Sequence, residues 1–278
     1  MDSATASAGQ DMPQPRAAGS APEGALLGAA AALFAASAAA TIAWSMSMAT
    51  MGAMPMPGGW TLSMAWMPMD GQSWPGVAAA FLGMWAVMVP AMMTPTLTPM
   101  LQRYRRAAAA TAARRLGWLS AGVAATYFLV WTAFGLPVFA LGAALAAAAM
   151  QWPALARAAP FAAGLLVLGA GVLQFTAWKA RQLACCRETP LPGRIMPPTT
   201  ATAWRHGLRL GMHCVRCCLG PTAVLLALGF MDLRVMAIVT AAITTERLAP
   251  AGLPVARAVG ALAIAAGLFL AARAVGLR

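Results

Sequence analysis

The sequence predicts an all-α protein, a polytopic transmembrane helical bundle of six or seven spans. Three observations predict it. Of 278 residues, 61% are hydrophobic and only 9% are charged, a balance that soluble domains do not carry. The apolar residues gather into runs of roughly twenty, the length that crosses a hydrocarbon core of about 30 Å. The connections alternate between arginine-rich and arginine-free, the asymmetry that orients helices in a bilayer. The formal net charge of +12 would point to nucleic acid in a soluble chain. Here the basic residues sit in short connections and no basic stripe alternates with aromatics. The partner they imply is therefore the lipid bilayer and not nucleic acid. The expected location is a bacterial-type inner (cell) membrane.

Residues 1–24 are rich in Ala, Ser, Pro and Gly and read as a disordered tail. Their acidic residues do not fit the basic start of a signal peptide. Residues 25–278 form the transmembrane domain, whose first span is Leu26 to Trp44. An outer loop, residues 45–75, carries Met46, Met48, Met51, Met54, Met56, Met64, Met67 and Met69, with no Lys or Arg. The positive-inside rule places this loop outside and the N-terminus in the cytoplasm. Thioethers are soft neutral ligands that hold Cu(I) where free thiols would be oxidised. The same composition also suits a flexible loop in a chain that uses Met freely.

The second span begins at Gly76. Met84, Met88 and Met92 recur every four residues along it, on one face, and Met93 follows. This stripe reads either as core packing or, through Met88, Met92 and Met93, as a thioether relay. Pro90 and Pro95 are expected to break or kink the end of the span. Residues 102–115 carry five Arg and no acid, which places them in the cytoplasm. Residues 116–150 exceed one span and read as one kinked, tilted helix or as a helix plus an interfacial segment. The next span, Pro160 to Trp178, runs inward to a basic connection that holds Cys185 and Cys186. These two thiols either join the cluster described next or stand idle. Gly207 to Phe230, Met236 to Leu248 and Val255 to Val275 complete the bundle.

Both histidines and three of the five cysteines lie in the stretch that opens at His206. His206, His213 and Cys217 share a helical stripe, and Cys214 and Cys218 form a second i, i+4 pair. In the span predicted from Gly207 to Phe230 they fall in the cytoplasmic third. His is rare in apolar spans and usually functional there. Thiolate and imidazole together suit Cu(I), with Zn(II) as the second candidate. Glu246, at a similar depth on the following helix, is placed either to ligate a metal or orient a ligating His, or to pair with Arg247 or Arg205. All five cysteines lie between residues 185 and 218, on the side expected to face a reducing compartment, so free thiols or ligands are expected. No catalytic triad or phosphate loop is visible, and the chain reads as a non-enzyme.

Three segments in order carry a family resemblance. They are MWAVMVPAMMTPTLTPML at Met84 to Leu101, TAWKARQLACCR at Thr176 to Arg187, and the cluster region from Gly207 to Pro250. Together they resemble the predicted metal-binding integral membrane proteins grouped as domain of unknown function 2182. The resemblance covers residues 76 to the C-terminus and implies metal binding, often suggested to be copper. The chain departs from the family pattern at Arg216 (family Gly), Leu219 (Trp), Gly220-Pro221 (Leu-Met) and Arg247 (Lys).

The leading expectation is copper handling, as a chaperone or transport component. A metallochaperone or a membrane protein would be the partner. The alternatives are a membrane thiol oxidoreductase using vicinal cysteines and a structural subunit without metal.

Overall fold

The structure, a computed structural model, describes residues 20–50, 54–68, 71–112, 115–188 and 199–276. Most of the 1–24 tail lies outside these, as do Met51, Met69 and Asp70 of the outer loop. The helices in chain order are α1 (Ser20–Thr50), α2 (Trp74–Ala112), α3 (Leu116–Gln151), α4 (Pro153–Leu173), α5 (Ala177–Glu188), α6 (Thr200–Leu228), α7 (Leu233–Leu248) and α8 (Gly252–Ala274). Six of them are long and apolar enough to cross a membrane; α5 and α7 are the shorter two.

Ala and Leu favour helix throughout, so the elements are decided by where helices stop. The run at 116–150 is a single helix that passes through Pro137. Likewise, α2 continues through Pro90, Pro95 and Pro99 and does not break there. A membrane-length helix tolerates proline because packing against neighbouring helices holds it together where the proline removes a bond. The helix hydroxyls between the prolines bond back to their own turn, Thr94 donating to the Pro90 carbonyl at 2.6 Å and Thr98 to the Thr94 carbonyl at 2.8 Å, and so expose no extra polar group to the core. At the α6–α7 corner, Gly229 adopts φ 116°, a conformation glycine takes without strain. Asp232 then caps α7 by accepting from the amides of Arg234 and Val235.

Between α1 and α2, strands β1 (Met54–Met56) and β2 (Trp60–Leu62) form an antiparallel hairpin, followed by a 3-10 turn at Met64–Trp66. This part of the expected flexible loop is anchored. Trp60 Nε1 donates to the Ala156 carbonyl at 2.8 Å, and Trp66 packs on Phe81 and Phe230. The hairpin, the start of α2, the α3–α4 corner and the α6–α7 corner therefore share one end of the bundle. At the other end, Tyr104 near the end of α2 stacks on His206 near the start of α6.

Within the bundle α6 packs against α3, α4, α5 and α7, and α4 packs along α8. Glycines allow both close approaches. A Cβ at Gly207 would meet the Val123 carbonyl of α3 at 2.5 Å, and one at Gly171 would meet the Ile264 amide of α8 at 2.7 Å.

Candidate metal centre

Helix α6 begins at Thr200, seven residues before the predicted start, because Thr199 caps it by accepting from the Thr202 amide. Cys214, Cys217 and Cys218 consequently lie near its middle rather than in its inner third. All three are buried. Four other helix ends converge on this level: the end of α4, the start of α5, the end of α7 and the start of α8.

The end of α7 brings two charged residues inward. Glu246 and Arg247 are both buried, in contrast to an interfacial pairing with Arg205. Glu246 faces Lys179 of α5, whose Nζ donates to Oε2 at 2.7 Å. Gln174 Nε2 donates to its Oε1, also at 2.7 Å. Both carboxylate oxygens are thus engaged. Lys179 has a second acceptor, the Cys217 carbonyl at 2.9 Å. The reason lies four residues on. Pro221 has no N–H, so the Cys217 carbonyl lacks its helical donor, and the ammonium takes that place.

The thiols form a continuous chain. Cys217 lies near enough to Cys186 and Cys218, and Cys218 to Cys214, for each thiol to act electrostatically on its neighbours. Tyr127 of α3 ends the chain, with its hydroxyl 2.8 Å from Cys214 Sγ. On the opposite side, Arg247 Nη2 donates to Cys186 Sγ at 3.5 Å and to Cys218 Sγ at 3.6 Å. Cys186 lies in α5, outside the long helices. Its hydrogen bond to Cys217, and then burial, push its thiol well above the usual range. No cysteine is in a disulfide.

The residues singled out in the sequence therefore divide. Cys186 joins Cys214, Cys217 and Cys218, whereas Cys185 is exposed. His206 lies eight residues before Cys214, about 12 Å along the axis, and stacks on Tyr104 with ring centroids 5.2 Å apart. His213 is half-buried with an unpartnered Nδ1. Met88, Met92 and Met93 are buried in the same contiguous core as the four thiols. Arg216, one of the departures from the family pattern, is exposed, and the guanidinium that meets the sulfurs is Arg247. Among the described residues, no three His, Cys, Asp or Glu side chains converge as a preformed site for one ion.

Sequence reading missed three members. Tyr127 is one of two tyrosines, and a buried phenol needs a partner. Lys179 was read for topology and as part of the segment resembling the family, not as a partner of the centre, although Pro221 four residues after Cys217 signals a carbonyl in need of a donor. Gln174 carried no signal of its own.

Buried thiols in reach of one another, with a cation beside them, offer soft anionic donors in a site closed to water. No curated protein and no solved structure matches the chain. A family model does, that of the PpoB2 copper chaperones, over residues 82–270, which takes in every helix that contributes to this centre. The chain belongs to the PpoB2 copper chaperone family.

Proposed function

We propose that the chain is a multi-pass inner-membrane protein that binds Cu(I) at Cys186, Cys214, Cys217 and Cys218 and passes it to or from a protein partner. One observation carries this reading: four buried cysteines from two helices gathered around one buried guanidinium and one buried phenol. Cu(I) accepts as few as two soft donors, so a pair of these thiolates suffices, whereas Zn(II) requires a tetrahedral set. His213, half-buried one residue before Cys214, is not required as a donor, because two thiolates already satisfy Cu(I). Glu246 supports the site through Lys179 and the Cys217 backbone rather than as a ligand. Methionines of the outer hairpin collect the ion, and Met88, Met92 and Met93 line its way through the core. His206 stands apart from the thiols, near the other end of α6.

The test uses protein purified in detergent under reducing conditions. Competition with a Cu(I) chelator should show one tightly held ion per chain. Replacing Cys214, Cys217 and Cys218 together by Ser should weaken retention by at least about tenfold, the loss expected when soft anionic donors are removed. A triple variant that holds Cu(I) as tightly as the parent places the site elsewhere.

A further inference from the structure

We infer that Arg247 makes this centre selective for monovalent metal ions, an inference that rests on the thiols binding metal as proposed above. The guanidinium is the one cation whose nitrogen reaches the sulfurs among the described hydrogen bonds, at 3.5 Å from Cys186 and 3.6 Å from Cys218. It is buried, with 6% of its surface exposed, and its Nε and Nη1 have no partner in the structure. A guanidinium stays charged at any pH the protein meets. The neighbouring cation, Lys179, is already neutralised by Glu246 at 2.7 Å, so Arg247 is left to be balanced by the thiols.

Charge balance then discriminates between ions. Two thiolates and a monovalent ion carry one negative charge, which Arg247 cancels. Two thiolates and a divalent ion are neutral, and Arg247 is left as an uncompensated charge in an apolar core, which is strongly disfavoured. A third thiolate would restore balance for a divalent ion. Among the described residues, however, no three such donors converge on one point. The second positive charge of a divalent ion also meets the guanidinium at close range, where each added charge alters affinity by a factor on the order of ten or more.

Ag(I) and Cd(II) isolate this effect, because both are soft ions with the same electron configuration and differ in charge. Both bind thiolates with an ultraviolet charge-transfer absorbance, so occupancy is read directly. The whole chain, in detergent, is titrated with each ion as parent, Arg247→Lys, Arg247→Met and Arg247→Gln. The parent should prefer Ag(I). The Met and Gln variants should shift the Ag(I):Cd(II) affinity ratio toward Cd(II) by about tenfold or more, and the Lys variant should keep the parent ratio. Gln retains an amide donor for the sulfurs and serves if Met unfolds the protein. An unchanged ratio in either neutral variant, or an equal loss of both ions, overturns the selectivity. So does a parent protein that takes Cd(II) as tightly as Ag(I), which needs no variant. If the parent binds neither ion, the metal-binding reading fails instead.

Discussion

Cys185 and Cys186 are neighbours in sequence and opposites in space. On a helix, adjacent residues point about 100° apart, so one side chain can enter the core while the next faces out. Cys186 is fully buried against Cys217 and Arg247, and Cys185 is exposed. Cys186→Ser should therefore weaken Cu(I) retention by about tenfold, as loss of a soft donor does, and Cys185→Ser should leave it unchanged; chelator competition on the two variants decides. Nothing in the spacing of the sequence could choose between these thiols, because the choice depends on how α5 rolls against α6. The Lys179–Glu246 pair was hidden for a similar reason, since its members are 67 residues apart. Both are 2% exposed. Removing one partner leaves a buried charge unpaired, at a cost of about 3–5 kcal/mol. Glu246→Ala should lower the melting temperature sharply, and Lys179→Met with Glu246→Met should recover most of the loss. A Glu246→Ala protein as stable as its parent would remove the pair from the account of the fold.

Helices and their close approaches were far more legible than the pairs. The G-x-x-x-G step at Gly207 and Gly211 announced a close contact, and α6 meets α3 there. Helix starts were less legible. Both α4 and α6 begin seven residues before the predicted spans, at Pro153 and at the Thr199 cap, because apolar length marks the bilayer and not the helix. The α4–α8 seam gives a direct test. A side chain at Gly171 would strike the Ile264 backbone, whereas one at Gly169, two residues away, meets nothing within 4 Å. Gly171→Leu should destabilise the protein strongly and Gly169→Leu hardly at all, read as loss of the folded peak after graded heating. The hairpin separates its anchors from its thioethers in the same way. Trp60 and Trp66 hold it in place. Changing Met54, Met56, Met64 and Met67 to Leu should preserve expression and reduce copper uptake. Full uptake in that variant would return these residues to ordinary packing.

Over the whole molecule, composition predicted the class and the charge distribution predicted the orientation, yet neither could place the thiol centre at mid-height. That depth follows from α7, which has 16 residues and extends about 24 Å from the hairpin end. Its inner end stops beside the middle of α6, and Glu246 and Arg247 stop with it. A helix of full spanning length would have carried both charges on to the interface. The bundle's two ends also differ in charge. Arg103, Arg105, Arg106, Arg115, Arg181, Arg205 and Arg209 belong to the end away from the hairpin, and Arg157, Arg234 and Arg273 to the hairpin end. Short basic connections resist translocation, so the first end should face the cytoplasm. Added cysteines at Thr61, on the hairpin, and Gly117, at the α2–α3 corner, occupy exposed positions at opposite ends. In a Cys185→Ser background the remaining native thiols are buried and silent. A membrane-impermeant maleimide applied to intact cells should label residue 61 and spare residue 117 until the membrane is opened. Labelling at 117 from outside would invert the protein. The hairpin methionines would then face a reducing compartment, where thiols compete for Cu(I), and they could no longer serve as its collector.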